Sequence, residues 1–360
     1  MSADTSTRVA DTAPLAPARP RTRRGALTWD TAIIAVTLAF LVAASLGVEH
    51  FGTARNFGFL VLDLAPIFLL ALPMTLIVIT GDIDLSVASM VGLTSSAIGV
   101  MWEAGMPLET ILVLAVVLGA VLGAVNGFFV AVLGLPALAV TIGTLALYRG
   151  LAYVLLGEGA VATFPRSFTG WTVGATGWMP NVLPGLLLLA VVFAVVLHAT
   201  PVGRSIYAIG ANVTTAAYSG INVGRTRFLL FVASGAMAGL VGAFWTLRYS
   251  SARGDNAFGI ELTVVAAVLL GGVSIFGGKG SLPGVLAGVV LLMSLQNALR
   301  LGSVSTEALT VVTGLLLIVS VLLPNVLVRI RRMRSPRRPA DPVPDPAPHQ
   351  PAAPAANERN

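Results

Sequence analysis

A few side chains in this sequence stand close enough together to suggest chemistry. Asp82 and Asp84 follow Gly81 in the run Thr80-Gly81-Asp82-Ile83-Asp84-Leu85-Ser86. A Gly-Asp pair backed by a second Asp is the equipment of an intramembrane aspartyl protease. On a helix, however, successive residues advance by about 100°. Two Asp two positions apart then face different sides, which makes a poor acid–base dyad. A second group, Gly277-Gly278-Lys279-Gly280-Ser281, has the look of a phosphate-binding loop. That motif needs Gly five residues before the Gly-Lys pair and Ser or Thr directly after Lys. Val273 and Gly280 occupy those places. The chain has no cysteine, which removes disulfides, thiolate catalysis and Cys-ligated metals. Its three His, at 50, 198 and 349, are too scattered in sequence for a His-rich metal site. Enzymatic chemistry is therefore not expected.

The remaining polar residues are embedded in apolar runs, where they are costly and informative. An ionisable group at a bilayer centre costs about 2.5–3.5 kcal/mol on insertion scales. Asp63, Asp82, Asp84, Arg149 and Glu261 lie in or at the edge of such runs. Asp82, Asp84 and Glu261 sit where helix ends are expected, so capping and helix-dipole roles compete with a role in a polar passage. Asp63 is close enough to the end of its run to reach an interface. Arg149 is deeper, and three placements suit it: snorkelling, pairing with an intramembrane carboxylate, or facing an aqueous cavity. Thr75, Ser86, Ser89, Asn126, Thr141 and Thr144, with Asp84, are the candidate lining groups of a path for a polar solute, and Arg149 would support them.

The elements that must position these residues follow from composition. Of 360 residues, 56% are hydrophobic and only 11% charged, with a mean hydropathy of +0.88. An average soluble protein carries about 25% charge. Too little polar surface is available to cover a water-soluble globule. A transmembrane β-barrel would show short alternating segments instead of long apolar runs. The expectation is an all-α, polytopic membrane protein. About ten spans are predicted, over 30–48, 57–80, 83–102, 109–134, 136–156, 181–199, 227–247, 259–276, 282–299 and 308–328, each near the ~20 residues that cross ~30 Å of hydrocarbon. Gly81-Asp82 and Gly134-Leu135-Pro136 separate runs that almost touch, and read as tight turns or breaks. Pro66 and Pro73 predict kinks. Gly119, Gly123 and Gly127 share one helix face and suit close helix packing. The runs opened by Gly81 and by Gly277 are a weak sign of an internal repeat.

Residues 1–28 and 329–360 are expected to be tails, the first disordered and the second basic and then Pro-rich. No cleavable signal peptide is evident. With both tails in the cytoplasm, sixteen Lys and Arg fall on the inner side and five (Arg55, Arg166, Arg248, Arg253, Arg300) on the outer. That asymmetry follows the positive-inside pattern. It also accounts for the net charge of +6 without a nucleic-acid partner. The longest inner loop is 200–226, and the longest outer segment is 157–180.

Several motifs together carry a resemblance. Thr80 to Val87 resembles the Gly-Gly-Ile-Asp-Leu-Ser-Val signature of bacterial monosaccharide ABC importer permeases, the family of the ribose, arabinose, xylose, rhamnose and autoinducer-2 importers. Thr200-Pro201-Val202-Gly203-Arg204 through Tyr207-Ala208-Ile209-Gly210, Asn212 and Ser219-Gly220-Ile221 is similar to its cytoplasmic loop. Ala266-Ala267-Val268, Gly271-Gly272-Val273-Ser274 and Gly277 to Ser281 continue the match, which holds from about residue 56 to 328. Val213-Thr214 stands where the family often has two Glu, and Asp82 where it commonly has Gly. Ala71 to Leu76 and Ala139 to Leu145 look most like the rhamnose permeases, with the autoinducer-2 permeases next.

The resemblance implies a type II-like permease fold of about ten helices, in a bacterial inner membrane, paired with a second copy or a homologous permease. It implies a cytoplasmic subunit with two ATP-binding modules, which would hold ATP and Mg, and an extracytoplasmic sugar-binding protein. This chain would bind no cofactor and move a monosaccharide by alternating access. Its loop would dock on the ATPase through Gly203, Arg204, Tyr207, Asn212, Ala216, Ser219 and Gly220. Residues 212–218 suit a short helix capped by Asn212 and ended by Gly220. The rival readings are an ion-coupled transporter using Asp63, Asp82 or Asp84, an ABC exporter subunit, and an intramembrane hydrolase.

Overall fold

A computed structural model describes residues 29–305, 307–319 and 322. The proposed tails, and the end of the last expected span, lie outside the described residues. In chain order the helices are α1 (Trp29–Gly47), α2 (Ala54–Ile79), α3 (Val87–Glu103), α4 (Leu108–Gly127), α5 (Ala137–Leu156), α6 (Arg166–Val173), α7 (Leu183–Ala199), α8 (Pro201–Ala211), α9 (Val213–Tyr218), α10 (Val223–Tyr249), α11 (Ile260–Leu270), α12 (Leu282–Leu301) and α13 (Glu307–Val319). A π-helical turn, Phe128–Val132, extends α4. One two-residue hairpin, Ala175–Thr176 with Met179–Pro180, lies between α6 and α7.

Every predicted span corresponds to a helix, but not every helix is a full span. Among the described residues six are long and apolar enough to cross a membrane: α1, α2, α4 with its π turn, α5, α10 and α12. The pair α7 and α8 adds a seventh if its 66° bend is counted within one span. The expected ten is therefore not confirmed. The shortfall has local causes. The stretch 82–86 is not helical, so α3 starts at Val87 and not at residue 83. Gly81, at φ +87°, turns the chain out of α2. Similarly α11 stops after 11 residues, where Gly272 at φ +93° breaks it.

The placement of α2 explains its sequence. Its apolar residues run all round the helix, and from Leu60 to Ile79 nearly every side chain is buried. A helix apolar on every face belongs in the middle of a bundle. The helices around it carry exposed apolar faces, such as Val113, Val117 and Val121 on α4 and Leu187, Leu188 and Val191 on α7. Those faces suit lipid or a second subunit. Pro66 and Pro73 both lie inside α2 without ending it. Proline at 66 deprives the Leu62 carbonyl of its helical N–H. The Arg248 guanidinium donates to that carbonyl instead. A kink device thus comes with its own compensating donor.

The α4 and α10 helices make the closest contact in the bundle. A Cβ added at Gly119 would lie 2.2 Å from the Gly235 carbonyl oxygen, and one at Gly123 would lie 2.1 Å from that of Phe231. Gly235 and Gly239 face back onto Gly119, Gly123 and Ala115 in the same way. The glycines spaced four apart serve helix packing, as expected.

Candidate functional site

The site is built around the break between α2 and α3. Residues 80–86 leave backbone groups without helical partners, and a buried set of side chains supplies them. Asp84 is fully buried. One carboxylate oxygen accepts from the Ser86 N–H at 3.0 Å and the Ser86 hydroxyl at 2.6 Å. The other accepts from Ser234 of α10 at 2.9 Å. Asn126, at the end of α4, donates to the Ser86 hydroxyl oxygen at 2.7 Å. Tyr148 of α5 donates to the Leu122 carbonyl at 3.0 Å and lies 3.3 Å from the Asn126 amide oxygen. Thr141 of α5 donates to the Ile83 carbonyl at 3.2 Å. Three helices, α4, α5 and α10, therefore converge on the one non-helical turn between α2 and α3.

Asp82 is held separately, by an ion pair at 2.8 Å with Arg227 in the first turn of α10 and by the Thr80 hydroxyl. The helical argument against an Asp82–Asp84 dyad needs correcting, because neither residue is helical. The conclusion survives for another reason. The two carboxylates engage different partners, one Arg227 and the other Ser86 and Ser234.

The remaining candidates divide clearly. Ser89 donates to the Ser86 carbonyl and lies beside the break. Thr75 and Thr144 donate to carbonyls four residues back in their own helices. Arg149 is elsewhere: its guanidinium donates to the carbonyls of Gly254 at 2.7 Å, Asn256 at 2.9 Å and Ala88 at 3.1 Å, and it lies over the Phe258 ring. None of the three placements considered from sequence describes this fully. Arg149 is a clamp on backbone, fastening the 250–258 segment to α3. Asn256 completes the clamp by donating to Ser95, which is 2.7 Å from Thr246 of α10.

The loop of the resemblance forms a second part. Asn212 accepts from the Thr215 N–H and caps α9, and Gly220 leaves it at φ +82°. Ser219 donates to the Thr215 carbonyl, and Ala216 is buried beneath the turn. Gly203 is required at the bend from α7 into α8, where a Cβ would lie 1.8 Å from the Leu197 carbonyl oxygen. Arg204 is exposed. Tyr207 donates to the Gly280 carbonyl at 2.7 Å. Gly210 lies against both breaks at once: an added Cβ would be 1.8 Å from the Ile79 oxygen and 2.4 Å from the Gly278 nitrogen. The Gly278 N–H donates to the Ile79 carbonyl at 2.8 Å. The Gly277 to Ser281 run is thus a structural turn, and Ser281 caps α12 by accepting from Gly284.

Sequence reasoning did not single out Ser234, Tyr148, Arg227, Asn256 or Arg248. Tyr148 carried a usable signal, since a phenol inside an apolar run needs a partner. Ser234, in Ala233-Ser234-Gly235-Ala236, is indistinguishable there from packing residues. Among the described residues no group of His, Asp or Glu could hold a metal ion.

A family model described as the permease component of branched-chain amino acid transport systems matches residues 56–321. The autoinducer 2 import system permease protein LsrD of Salmonella paratyphi B is 30% identical over 301 residues, covering 82% of this chain and 90% of that protein. The LsrD protein of Escherichia coli is 31% identical over 300 residues, covering 81% and 91%. That of Yersinia enterocolitica is 31% identical over 297 residues, covering 79% and 90%. No solved structure matches the chain. Matched over most of its length, the chain belongs to this permease family, and it is a transport subunit rather than an enzyme.

Proposed function

We propose that the chain is the membrane permease of an ATP-driven importer for a small polyhydroxylated solute, with autoinducer-2 as the first candidate. The similarity to LsrD proteins along most of both chains supports that solute. L-Rhamnose is the second candidate, supported by the Ala71 to Leu76 and Ala139 to Leu145 runs. In this reading a tandem ATP-binding subunit holds ATP and Mg, an extracytoplasmic binding protein delivers solute, and a second permease completes the path across the inner membrane.

One observation carries the mechanism. The short α8–α9 unit touches both helix breaks through Gly210 and Tyr207, while α9 presents Val213 and the 90%-exposed Tyr218 outward. A push on α9 by an ATPase is therefore passed to the Ile79–Gly81 and Gly277–Gly280 turns without a slack connection. Val213 and Tyr218 give that contact an apolar character, where the related loops often carry acids. The Asp84, Ser86 and Asn126 cluster shapes the path at the first break. Its polar atoms are engaged with one another, so its role is to hold the turn and not to grip the solute. Ser89 and Thr141 adjoin it, Thr75 and Thr144 bond within their own helices, and Arg149 fixes the far segment.

Uptake of labelled autoinducer-2, L-rhamnose and ribose in cells with and without the gene tests the reading. Loss of autoinducer-2 or rhamnose uptake, restored by the gene and dependent on a partner ATPase, is the expected result. Uptake that persists without the ATPase and collapses with an uncoupler would instead make the chain an ion-coupled transporter.

A further inference from the structure

A cavity of about 550 Å³ opens between α2, α10, α11, α12 and α13, at the end of the bundle away from α9. None of the candidate path residues named from sequence lines it. Its wall combines two kinds of group. Trp245 and Tyr249 present neighbouring rings, 5.6 Å between centroids. The same lining holds Gln296, which donates to Thr313 at 2.9 Å, and the Asp63 carboxylate, which takes Arg248, itself 4.9 Å over the Tyr249 ring, on one oxygen and Arg300 at 3.3 Å on the other. Arg300 is half exposed there. We infer that this cavity is a loading site for the transported solute, taking a neutral, polyhydroxylated ring or chain of monosaccharide size.

The chemistry selects that class. Aromatic faces cover the C–H surfaces of a sugar-like molecule, while the Gln296 amide oxygen and the further N–H groups of the half-exposed Arg300 supply an acceptor and donors for hydroxyls. Ligand pockets generally span about 300–1,000 Å³, and a monosaccharide fits this one with water to spare. An anion is less suited, because the Asp63 carboxylate already neutralises one of the two cations at its edge. A purely apolar occupant such as an acyl chain would leave the Gln296 amide oxygen and the outer N–H groups of Arg300 without the hydroxyls they suit. A loading site also must bind weakly, since a tight site holds its cargo. Two aromatic rings and a few polar groups in one open cavity fit that demand.

The inference rests on the importer reading, and its test separates the two. Initial uptake rates of autoinducer-2 and L-rhamnose are measured against concentration in cells carrying the full transporter. The wild-type chain is compared with Gln296→Leu, Trp245→Leu and Thr313→Val, each at matched membrane levels. Gln296→Leu and Trp245→Leu are expected to raise KM by about 5- to 20-fold, with the maximal rate within about 2-fold, as loss of a hydrogen bond or stacking face requires. Thr313→Val, which removes the hydroxyl that Gln296 donates to, should give an intermediate rise. Quenching of tryptophan fluorescence by the same solute in the purified full-length chain should disappear in Trp245→Phe. Unchanged KM in all three uptake variants, with wild-type uptake intact, overturns the loading site and leaves the importer standing. Absence of wild-type uptake for both solutes overturns the importer reading, and the loading site with it.

Discussion

At the residue scale the decisive group is Asp84, a carboxylate with no exposed surface and three hydrogen bonds. An ionised group in such a place is tolerated only when hydrogen bonds replace its hydration. Its two oxygens divide the work: one shapes the local turn with Ser86, and one ties that turn to α10 through Ser234. Asp84→Asn keeps the oxygen that the Ser86 N–H needs, and offers an amide that the Ser234 hydroxyl can accept from. It should retain at least half the wild-type uptake and melt close to wild type. Asp84→Ala strands a buried N–H and two hydroxyls, at about 1–3 kcal/mol for each group left unsatisfied. It should lose both uptake and thermal stability. Thr75→Val is the matched control, since the Thr75 hydroxyl serves only the Ala71 carbonyl in its own helix, and it should behave as wild type. Melting curves and uptake on the three purified or expressed variants check this. A stable Asp84→Asn variant with no uptake would show that transport needs the carboxylate itself, as the ion-coupled reading requires.

At the scale of elements, α10 links the machine. It packs glycine to glycine on α4, pairs Arg227 with Asp82, offers Ser234 to Asp84, and ends in Arg248 beneath Pro66 of α2. Gly123→Val would drive a branched side chain into the Phe231 carbonyl, and overpacking of that kind costs about 1–3 kcal/mol or more. A lower melting temperature is expected, relieved by no change on α10, because the clash is with backbone. The Asp82–Arg227 pair behaves differently. Asp82→Asn and Arg227→Gln should each destabilise, and the double variant should recover part of the loss, with a coupling of about 0.5–3 kcal/mol in a double-mutant cycle on melting stability. Additive effects would mean that the pair does not act as a unit. Much of this arrangement was legible beforehand. The apolar runs and the glycines at 119, 123 and 127 pointed to helices and a close face, and Asn212 and Gly220 bracketed α9. What escaped was pairing across elements. Nothing in sequence joins Asp82 to Arg227, Asp84 to Ser234 or Arg149 to the Gly254 carbonyl, because those contacts arise only when three or four helices are packed. The count of ten spans is not confirmed for a related reason, since hydropathy does not show that Gly272 ends α11 after 11 residues or that residues 82–86 stay outside α3.

At the scale of the whole molecule, the chain has two chemically different ends, and their difference predicts its orientation. Arg204, Arg225, Arg227 and Lys279 lie at the end that carries α8 and α9, next to which α1 begins and Trp29 donates to the Leu270 carbonyl. Arg248, Arg253 and Arg300 lie at the other end, and all three are bound to carboxylates, Asp63 or Asp255. Orientation follows the count of Lys and Arg and not their pairing, and with sixteen on the side of the first end against five on the other, the first end is the one expected to stay in the cytoplasm. That places α9 where an ATPase can reach it and the 550 Å³ cavity where a delivered solute arrives. The absence of cysteine makes the point directly measurable, because any introduced thiol is the chain's own label site. Thr214→Cys on the exposed face of α9 should react with a membrane-impermeant maleimide in inverted vesicles and stay unlabelled in intact cells. Trp178→Cys, in the hairpin turn and 69% exposed, should do the reverse. The opposite pattern would put α9 outside, beyond the reach of ATP, and would remove the mechanical basis of the importer reading even if the helices pack as described.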